Sequence, residues 1–221
     1  MSVKENLIAI KKSLPAQVTL VAVSKTKPNE LILQAYDAGQ RDFGENYVQE
    51  LADKYEQLPK DIQWHFIGHL QSNKVKYIVP FVHLIHGVDS FKLLKVINKQ
   101  AEKINSVVNC LLQLYIAREE TKFGFDFEEC ETVLKSEEFK SLKNICVKGF
   151  MAMASNTDDE EEVRREFSSV KQFQEKMLQH DSRLSVLSYG MSGDYQLAIE
   201  CGSNMIRIGS SIFGERKYTD Q

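Results

Sequence analysis

The chain has 221 residues, 43% hydrophobic and 27% charged, with a formal net charge of −3. That composition belongs to a globular protein with ample apolar mass for a core. The mild acidity gives no footprint for nucleic acid or an anionic membrane as partner. No stretch approaches the roughly 20 apolar residues of a membrane span. The four cysteines, Cys110, Cys130, Cys146 and Cys201, follow no metal or disulfide spacing, and are expected to be reduced, structural thiols of a cytoplasmic protein.

The opening MSVKENLIAIKKSL lacks the long apolar core and cleavage site of a signal peptide. It reads as an amphipathic helix with Leu7, Ile10 and Leu14 on one stripe. A strand at 18–25, VTLVAVSK, is followed by a helix, NELILQAYDAG, with Asn29 as its expected N-cap and Gly39 as its stop. RDFGEN (41–46) leads into helical YVQELADKYEQL. QWHFIGH (63–69) precedes a helix beginning near Ser72. HLIHGVD (83–89) leads into SFKLLKVINKQAEKI, which Ser90 should cap. VVNCLLQLYI (107–116) is followed, after a loop, by helical FEECETVLKS. NICVKGFMAM (144–153) precedes a long helix from about Asp158 to His180. RLSVLSYG (183–190) and NMIRIGS (204–210) bracket helical DYQLAIECG.

The alternation predicts an α/β fold: a single (β/α)8 TIM barrel of minimal size, with an N-terminal extra helix, as one domain over residues 1–221. Apolar residues on both faces of several strands suit parallel strands covered on both sides. A doubly wound open sheet would alternate in the same way. The acidic run DDEEE (158–162) sits at a helix start, where negative charge complements the helix dipole.

Val21, Val23 and Lys25 share one strand face. Lys25 therefore crowns an apolar column at the C-terminal strand end, where barrels place their chemistry. Withdrawal from water lowers an ammonium pKa from its usual ~10.4 and provides the neutral amine that a Schiff base needs. From this segment alone, a lysine emerging into solvent is the stronger reading. Near the other end of the chain, LSYGMSGD (187–194) sets glycines around Ser192, and IRIGSSIFG (206–214) sets them around Ser210. Glycine admits backbone N–H groups close to an oxyanion, serine adds hydroxyl donors, and barrels often bind phosphate after strands 7 and 8.

A strand-tip lysine and a phosphate cup together suggest an aldehyde that carries a phosphate, pyridoxal 5′-phosphate. Arg207, two residues before Gly209, would then face the pyridine nitrogen. Guanidinium stays charged above pH ~12, so it does not readily protonate that nitrogen. The alternative for Arg207 is an ordinary ion pair with a carboxylate. Asn46 stands at a strand-to-helix junction, where it either caps a helix or contacts a cofactor. His65 and His69 lie four apart, but Gly68 and the β-like context disfavour a helical zinc pair; His69 could line the site. His83 and His86 are expected on opposite strand faces, which does not suit chelation.

Together VAVSKTKP, FGENYVQE, WHFIGHLQSNK, KGFMAMA and LSYGMSGDYQLAIECGSNMIRIGSSIFG resemble the pyridoxal phosphate homeostasis protein family, in order and over almost the whole chain. The resemblance implies a single barrel similar to the N-terminal domain of alanine racemase. It makes Lys25 the Schiff-base lysine and puts Asn46 beside the cofactor ring. Ser192, Gly209 and Ser210 would bind the phosphate, and Arg207 would face the ring nitrogen. Ser210 stands where many relatives carry threonine, and the hydroxyl is kept. Tyr189 replaces a common methionine, which affects the packing expected on that side of the ring.

The function implied is a binder of pyridoxal 5′-phosphate in vitamin B6 homeostasis, without robust catalysis. It would be a monomer whose partners are pyridoxal-dependent apo-enzymes. The end of the chain at Gln221 leaves no length for the β-rich second domain of the related racemases, so carriage is expected rather than turnover. The alternative is a small racemase-like enzyme using Lys25 as its base. A third reading is a phosphate-ester barrel enzyme without pyridoxal.

Overall fold

A computed structural model describes residues 2–118 and 123–215. Its parallel strands are β1 (Thr19–Val23), β2 (Asp42–Glu45), β3 (Gln63–Phe66), β4 (Leu84–Val88), β5 (Val108–Leu114), β6 (Ile145–Ala152), β7 (Val186–Ser188) and β8 (Met205–Ile208). They pair in chain order and close into a barrel, β1 meeting β8 from Thr19↔Met205 to Ala22↔Ile208. The open doubly wound alternative is thereby excluded. Helix α1 (Val3–Ser13) precedes the first strand. The helices that follow are α2 (Asn29–Asp37), α3 (Val48–Gln57), α4 (Val75–Ile78), α5 (Phe91–Glu102), α6 (Phe127–Lys135), α7 (Glu137–Ser141), α8 (Glu160–Leu178), α9 (Tyr195–Glu200) and α10 (Ser210–Phe213). Among the described residues, no helix is long and apolar enough to cross a membrane. The expected domain end at Gln221 lies outside the described residues.

Two apolar layers follow from the strand alternation. Val21, Leu84, Leu111, Met151 and Met205 fill the barrel lumen. Phe43, Trp64, Phe66, Ile85, Phe150 and Ile206 belong to the larger core that the helices cover with residues such as Leu51, Leu94, Ile97 and Phe167. Each such buried side chain contributes on the order of 1.5–3 kcal/mol. Strands β6 and β7 approach so closely that a Cβ at Gly149 would meet the Val186 carbonyl oxygen at 1.9 Å, and Gly149 has φ of 148°. Only glycine serves there.

Local chemistry sets the helix starts. Ser2 and Glu5 form a reciprocal capping box on α1, and Ser90 caps α5 by accepting from the Leu93 N–H. In the acidic run, Asp159 accepts from the N–H groups of Glu161 and Glu162 and opens α8, the role expected of negative charge at that end. Asn29 is not the N-cap of α2. Pro28, held extended at φ −69° and ψ 156°, takes that position, and Asn29 instead donates from Nδ2 to Gln57 Oε1. The helix expected near Ser72 is short: a 3₁₀ turn, Ser72–Lys74, runs into α4. Ser136 ends α6 and caps α7, a helix the sequence pattern did not separate. The four cysteines are free thiols, and only Cys146 is not fully buried.

Candidate functional site

Lys25 leaves β1 in a turn, half-buried, while Val21 lies in the lumen core below it. The turn is braced from beneath. The Lys54 ammonium, nearly buried on α3, donates to the Ser24 carbonyl at 2.8 Å, to Glu45 Oε1 at 2.8 Å and to Glu50 Oε1 at 2.7 Å. Ser24 Oγ donates to the same Glu45 oxygen at 2.6 Å, and the Thr26 N–H donates to Glu50 at 2.6 Å. Thr26 holds φ of 61°, a left-handed conformation that costs a non-glycine residue energy and persists only where neighbours enforce it. The residues on either side of Lys25 are thus fixed by one ionic cluster. Burial pushes the Glu45 carboxyl up to about 7, against the pull of Lys54. Glu45 Oε2 is buried without a hydrogen-bond partner. The sequence reading missed this cluster, although Glu45 and Glu50 flank Asn46 within GENYVQE.

At the C-terminal ends of the strands a cavity of about 350 Å³ opens, lined among others by Val23, Lys25, Asn46, Ser192, Arg207, Gly209 and Ser210. That gathers all six proposed ligand-binding side chains and backbones, drawn from β1, β2, β7, β8 and the loops after them. Asn46 does not cap α3: Tyr47 holds the cap position. Asn46 Oδ1 is instead a buried polar atom with no partner. Gly68 lets the Asn46 backbone pass close, since a Cβ there would stand 2.3 Å from its carbonyl oxygen. Gly209 and Ser210 begin α10 directly after β8, so the short extra helix expected beside a phosphate cup is present. Lys27 also lines the cavity and fastens this corner: its ammonium donates to the carbonyls of Gly214 at 2.9 Å and Glu215 at 3.0 Å.

Arg207 points into the barrel from β8 and is buried. Nη1 donates to the Ser188 carbonyl at 2.6 Å and to Ser188 Oγ at 2.8 Å, and Nη2 donates to the Ala152 carbonyl at 3.2 Å. Among the described residues no carboxylate forms an ion pair with it, which removes the ordinary ion-pair alternative. Burial brings its pKa down to about 10, with Asp194 acting in the opposite sense; it remains cationic at neutral pH.

Three sequence expectations require correction. Tyr189 does not pack beside the cavity. It faces the helix layer, stacks on Phe167 with ring centroids 4.6 Å apart, and donates its hydroxyl to the Cys201 carbonyl at 2.8 Å, because its strand neighbour Ser188 takes the inward position. His83 and His86 do not diverge: both rings stand against His65, at 5.3 and 5.1 Å, since His83 precedes the strand rather than lying in it. His69 is exposed, 3.0 Å from Asp89 and stacked on Phe123, and is not among the residues lining the cavity. A larger cleft of about 790 Å³ lies at the other side of the molecule, lined by Phe139, Leu142, Lys143 and Arg183 among others. It contains none of the residues singled out for chemistry.

An amine, an orphaned amide oxygen, two glycine–serine turns and a buried guanidinium converge in a space within the roughly 300–1,000 Å³ of small-molecule sites. These groups fit an aldehyde that carries a phosphate and an aromatic nitrogen. Fold and site define a (β/α)8 barrel of the alanine racemase type, and residues 1–217 match the family described as alanine racemase, N-terminal domain. A pyridoxal phosphate homeostasis protein of Pasteurella multocida is 36% identical, with 99% of this chain and 100% of that one aligned. One from Schizosaccharomyces pombe is 39% identical over 90% of this chain and 84% of its own. The chain belongs to the pyridoxal phosphate homeostasis protein family. Its fold superposes on that of PipY of Synechococcus elongatus PCC7942, solved with PLP bound, at a TM-score of 0.87 and 33% identity, covering 96% of this chain and 100% of that one. An alanine racemase of Clostridium difficile 630 shares the fold, at a TM-score of 0.79 and 16% identity, with 99% of this chain covering 57% of that one.

Proposed function

We propose that this chain binds pyridoxal 5′-phosphate, holds it as a Schiff base on Lys25, and carries it rather than turning over amino acids. The observation behind this reading is the single cavity that joins Lys25 to Asn46, Arg207 and both glycine–serine turns. Lys25 would hold the aldehyde group through its side-chain amine, the residue type that forms Schiff bases with carbonyls. Ser192, Gly209 and Ser210 receive the phosphate through hydroxyl and backbone donors. Arg207 meets the ring nitrogen as a cation that donates but does not give up its proton. Asn46 brings its unpartnered Oδ1, or the amide nitrogen beside it, to the ring substituents. Bound, the cofactor supplies an electrophilic carbon and a conjugated ring, an electron sink that an arginine partner leaves weak.

The lining of the cavity supports carriage. Among the described residues it contains no histidine, tyrosine, cysteine or carboxylate. Its second amine, Lys27, is engaged with backbone carbonyls. The described lining thus offers no acid to complement Lys25, and proton transfer at both faces of a substrate carbon needs two such groups. The barrel acts as one unit, a monomer over residues 1–221, located in the cytoplasm, with pyridoxal-dependent apo-enzymes as receivers of the cofactor. Absorbance and borohydride reduction test the reading. The purified protein should be yellow, and reduction should fix the cofactor to the peptide that contains Lys25. A label on another lysine, or none, refutes the assignment.

A further inference from the structure

Five polar groups cross the barrel lumen in one unbroken chain. Arg207 Nη1 donates to Ser188 Oγ at 2.8 Å. Ser188 Oγ is 3.0 Å from His86 Nδ1, His86 Nε2 is 2.8 Å from His65 Nδ1, and His65 Nε2 is 3.0 Å from Asp42 Oδ1. The chain runs from β8 and β7 across to β4, then to β3 and β2. Ser188, His65 and His86 are fully buried, and Arg207 nearly so. Only the Asp42 carboxylate, 26% exposed, reaches water.

With both imidazoles neutral, the carboxylate end leaves a single arrangement of protons. Ionised Asp42 has only acceptors, so His65 carries its proton on Nε2 and donates it to Asp42. His65 Nδ1 is then an acceptor, and His86 meets it with a proton on Nε2. That leaves His86 Nδ1 as an acceptor for the Ser188 hydroxyl, whose oxygen accepts from Arg207. Every link then has one donor and one acceptor, and reversing a link between the neutral rings leaves two acceptors facing each other. A charged imidazole at His86 would break the sequence, and burial, His65 and Arg207 all push its pKa well below the usual 6.5. The other charged or titratable groups nearby are His83, against the His65 ring, and Asp194, whose charge acts on Arg207.

We propose that Asp42, His65, His86 and Ser188 are positioning residues: a one-way hydrogen-bonded chain, with both imidazoles neutral and protonated at Nε2, that holds Arg207 as a fixed donor toward the ring nitrogen of the cofactor. The tautomer assignment stands on the protein alone; the purpose rests on the cofactor reading above. The chain gives Arg207 a carboxylate at a distance, so that the guanidinium is compensated without an ion pair that would turn it away from the cavity. A lone packing role would require only that the lumen be filled.

Imidazole ¹⁵N NMR of the cofactor-free full chain reads the tautomers directly. Both His65 and His86 should show a single ring proton, carried on Nε2. An imidazolium or an Nδ1–H form of either one overturns the assignment. In Ser188→Ala the hydroxyl that links Arg207 to the imidazoles is gone. Folding being checked by Trp64 fluorescence, the visible band of bound pyridoxal phosphate should shift, and its Kd should rise by roughly ten-fold, the loss of one charge-assisted contact. Ser188→Thr, which keeps the hydroxyl, should restore both. Should Ser188→Ala fail to fold, Asp42→Leu removes the far acceptor and is read in the same way. An unchanged band and Kd in a folded Ser188→Ala or Asp42→Leu protein overturns the positioning role. Failure of the wild-type chain to take up the cofactor would overturn the cofactor reading and the purpose of the chain together, while the tautomer result would still be decided by the first measurement.

Discussion

Replacing Lys54 by methionine tests how the turn that carries Lys25 is held. Methionine keeps the length and apolar stem of the side chain and deletes the ammonium. Three contacts disappear, to the Ser24 carbonyl, Glu45 and Glu50, and Glu45 loses the ammonium paired with it at 2.8 Å while remaining fully buried. Stranding a buried charge costs about 3–5 kcal/mol when the charge must stay. Glu45 has a way out, because burial already lifts its carboxyl to about 7: it can take up a proton.

The cost of Lys54→Met should therefore depend on pH, with a definite sign. A carboxyl whose folded pKa exceeds its unfolded value contributes stability that is fully present below the unfolded pKa and is lost as pH rises through the folded one. In the wild type that loss runs from 4.5 to about 7 and then stops. Without Lys54 the folded pKa lies higher still, so the loss continues above 7 at ~1.36 kcal/mol per pH unit. The difference between variant and wild type should grow by about 3 kcal/mol between pH ~7 and pH ~9, on that slope. The chain has one tryptophan, Trp64, buried in the core, whose fluorescence follows urea denaturation at each pH. A second change, Glu45→Gln, should abolish the extra pH dependence in the double variant. A stability difference that stays constant or shrinks as pH rises refutes the reasoning.

Ser192→Ala with Ser210→Ala should weaken pyridoxal phosphate binding, each lost donor to a charged oxygen being worth on the order of 1.5–3 kcal/mol, while unphosphorylated pyridoxal is barely affected; equal loss for both ligands would point to damage elsewhere. Gly68→Ala places a Cβ 2.3 Å from the Asn46 carbonyl oxygen and 2.8 Å from its Cα. That strand end must give way, at about 1–3 kcal/mol of stability, with weaker cofactor retention measured by dialysis and absorbance; unchanged retention would remove Asn46 from the site. Incubation with common amino acids should give no sustained racemisation or decarboxylation by chiral chromatography, whereas repeated turnovers that vanish in Lys25→Ala would promote the enzyme reading.

What was legible in the sequence, and what was not, divides along a physical line. Strands buried on both faces read as apolar runs, so VTLVAV and NICVKGFMAM declare themselves, and the strand–helix alternation required only local pattern. The inward column Val21, Val23, Lys25 followed from a period of two. The glycine–serine turns are likewise local, since both the freedom of glycine and the hydroxyl of serine act within a few residues. Local ambiguity caused the smaller misses. Asn29 has the chemistry of a cap, but the preceding proline already occupied the extended position, and Ser136 served two helices at once.

The lumen was illegible for a different reason. His86 and Ser188 lie 102 residues apart, on strands that are not neighbours in the sheet, and they meet only because the sheet closes. No spacing along the chain encodes that meeting. Read linearly, HFIGH and HLIHG invite a question about metal ligands, and SYG invites one about the tyrosine. Closure answers differently: it turns the histidines toward each other and toward Ser188, and sends Tyr189 out to Phe167. The Lys54–Glu45 pair is intermediate, nine residues apart and joined by a strand-to-helix step that the pattern could have revealed had a buried glutamate been demanded a partner. Chemistry at the strand ends can thus be read residue by residue, whereas the groups that orient it depend on the topology. The same split separates the expected phenotypes. Changes at Ser192 or Ser210 should act on one ligand group, and changes at Ser188 or Asp42 should act on how Arg207 presents itself to the ring nitrogen.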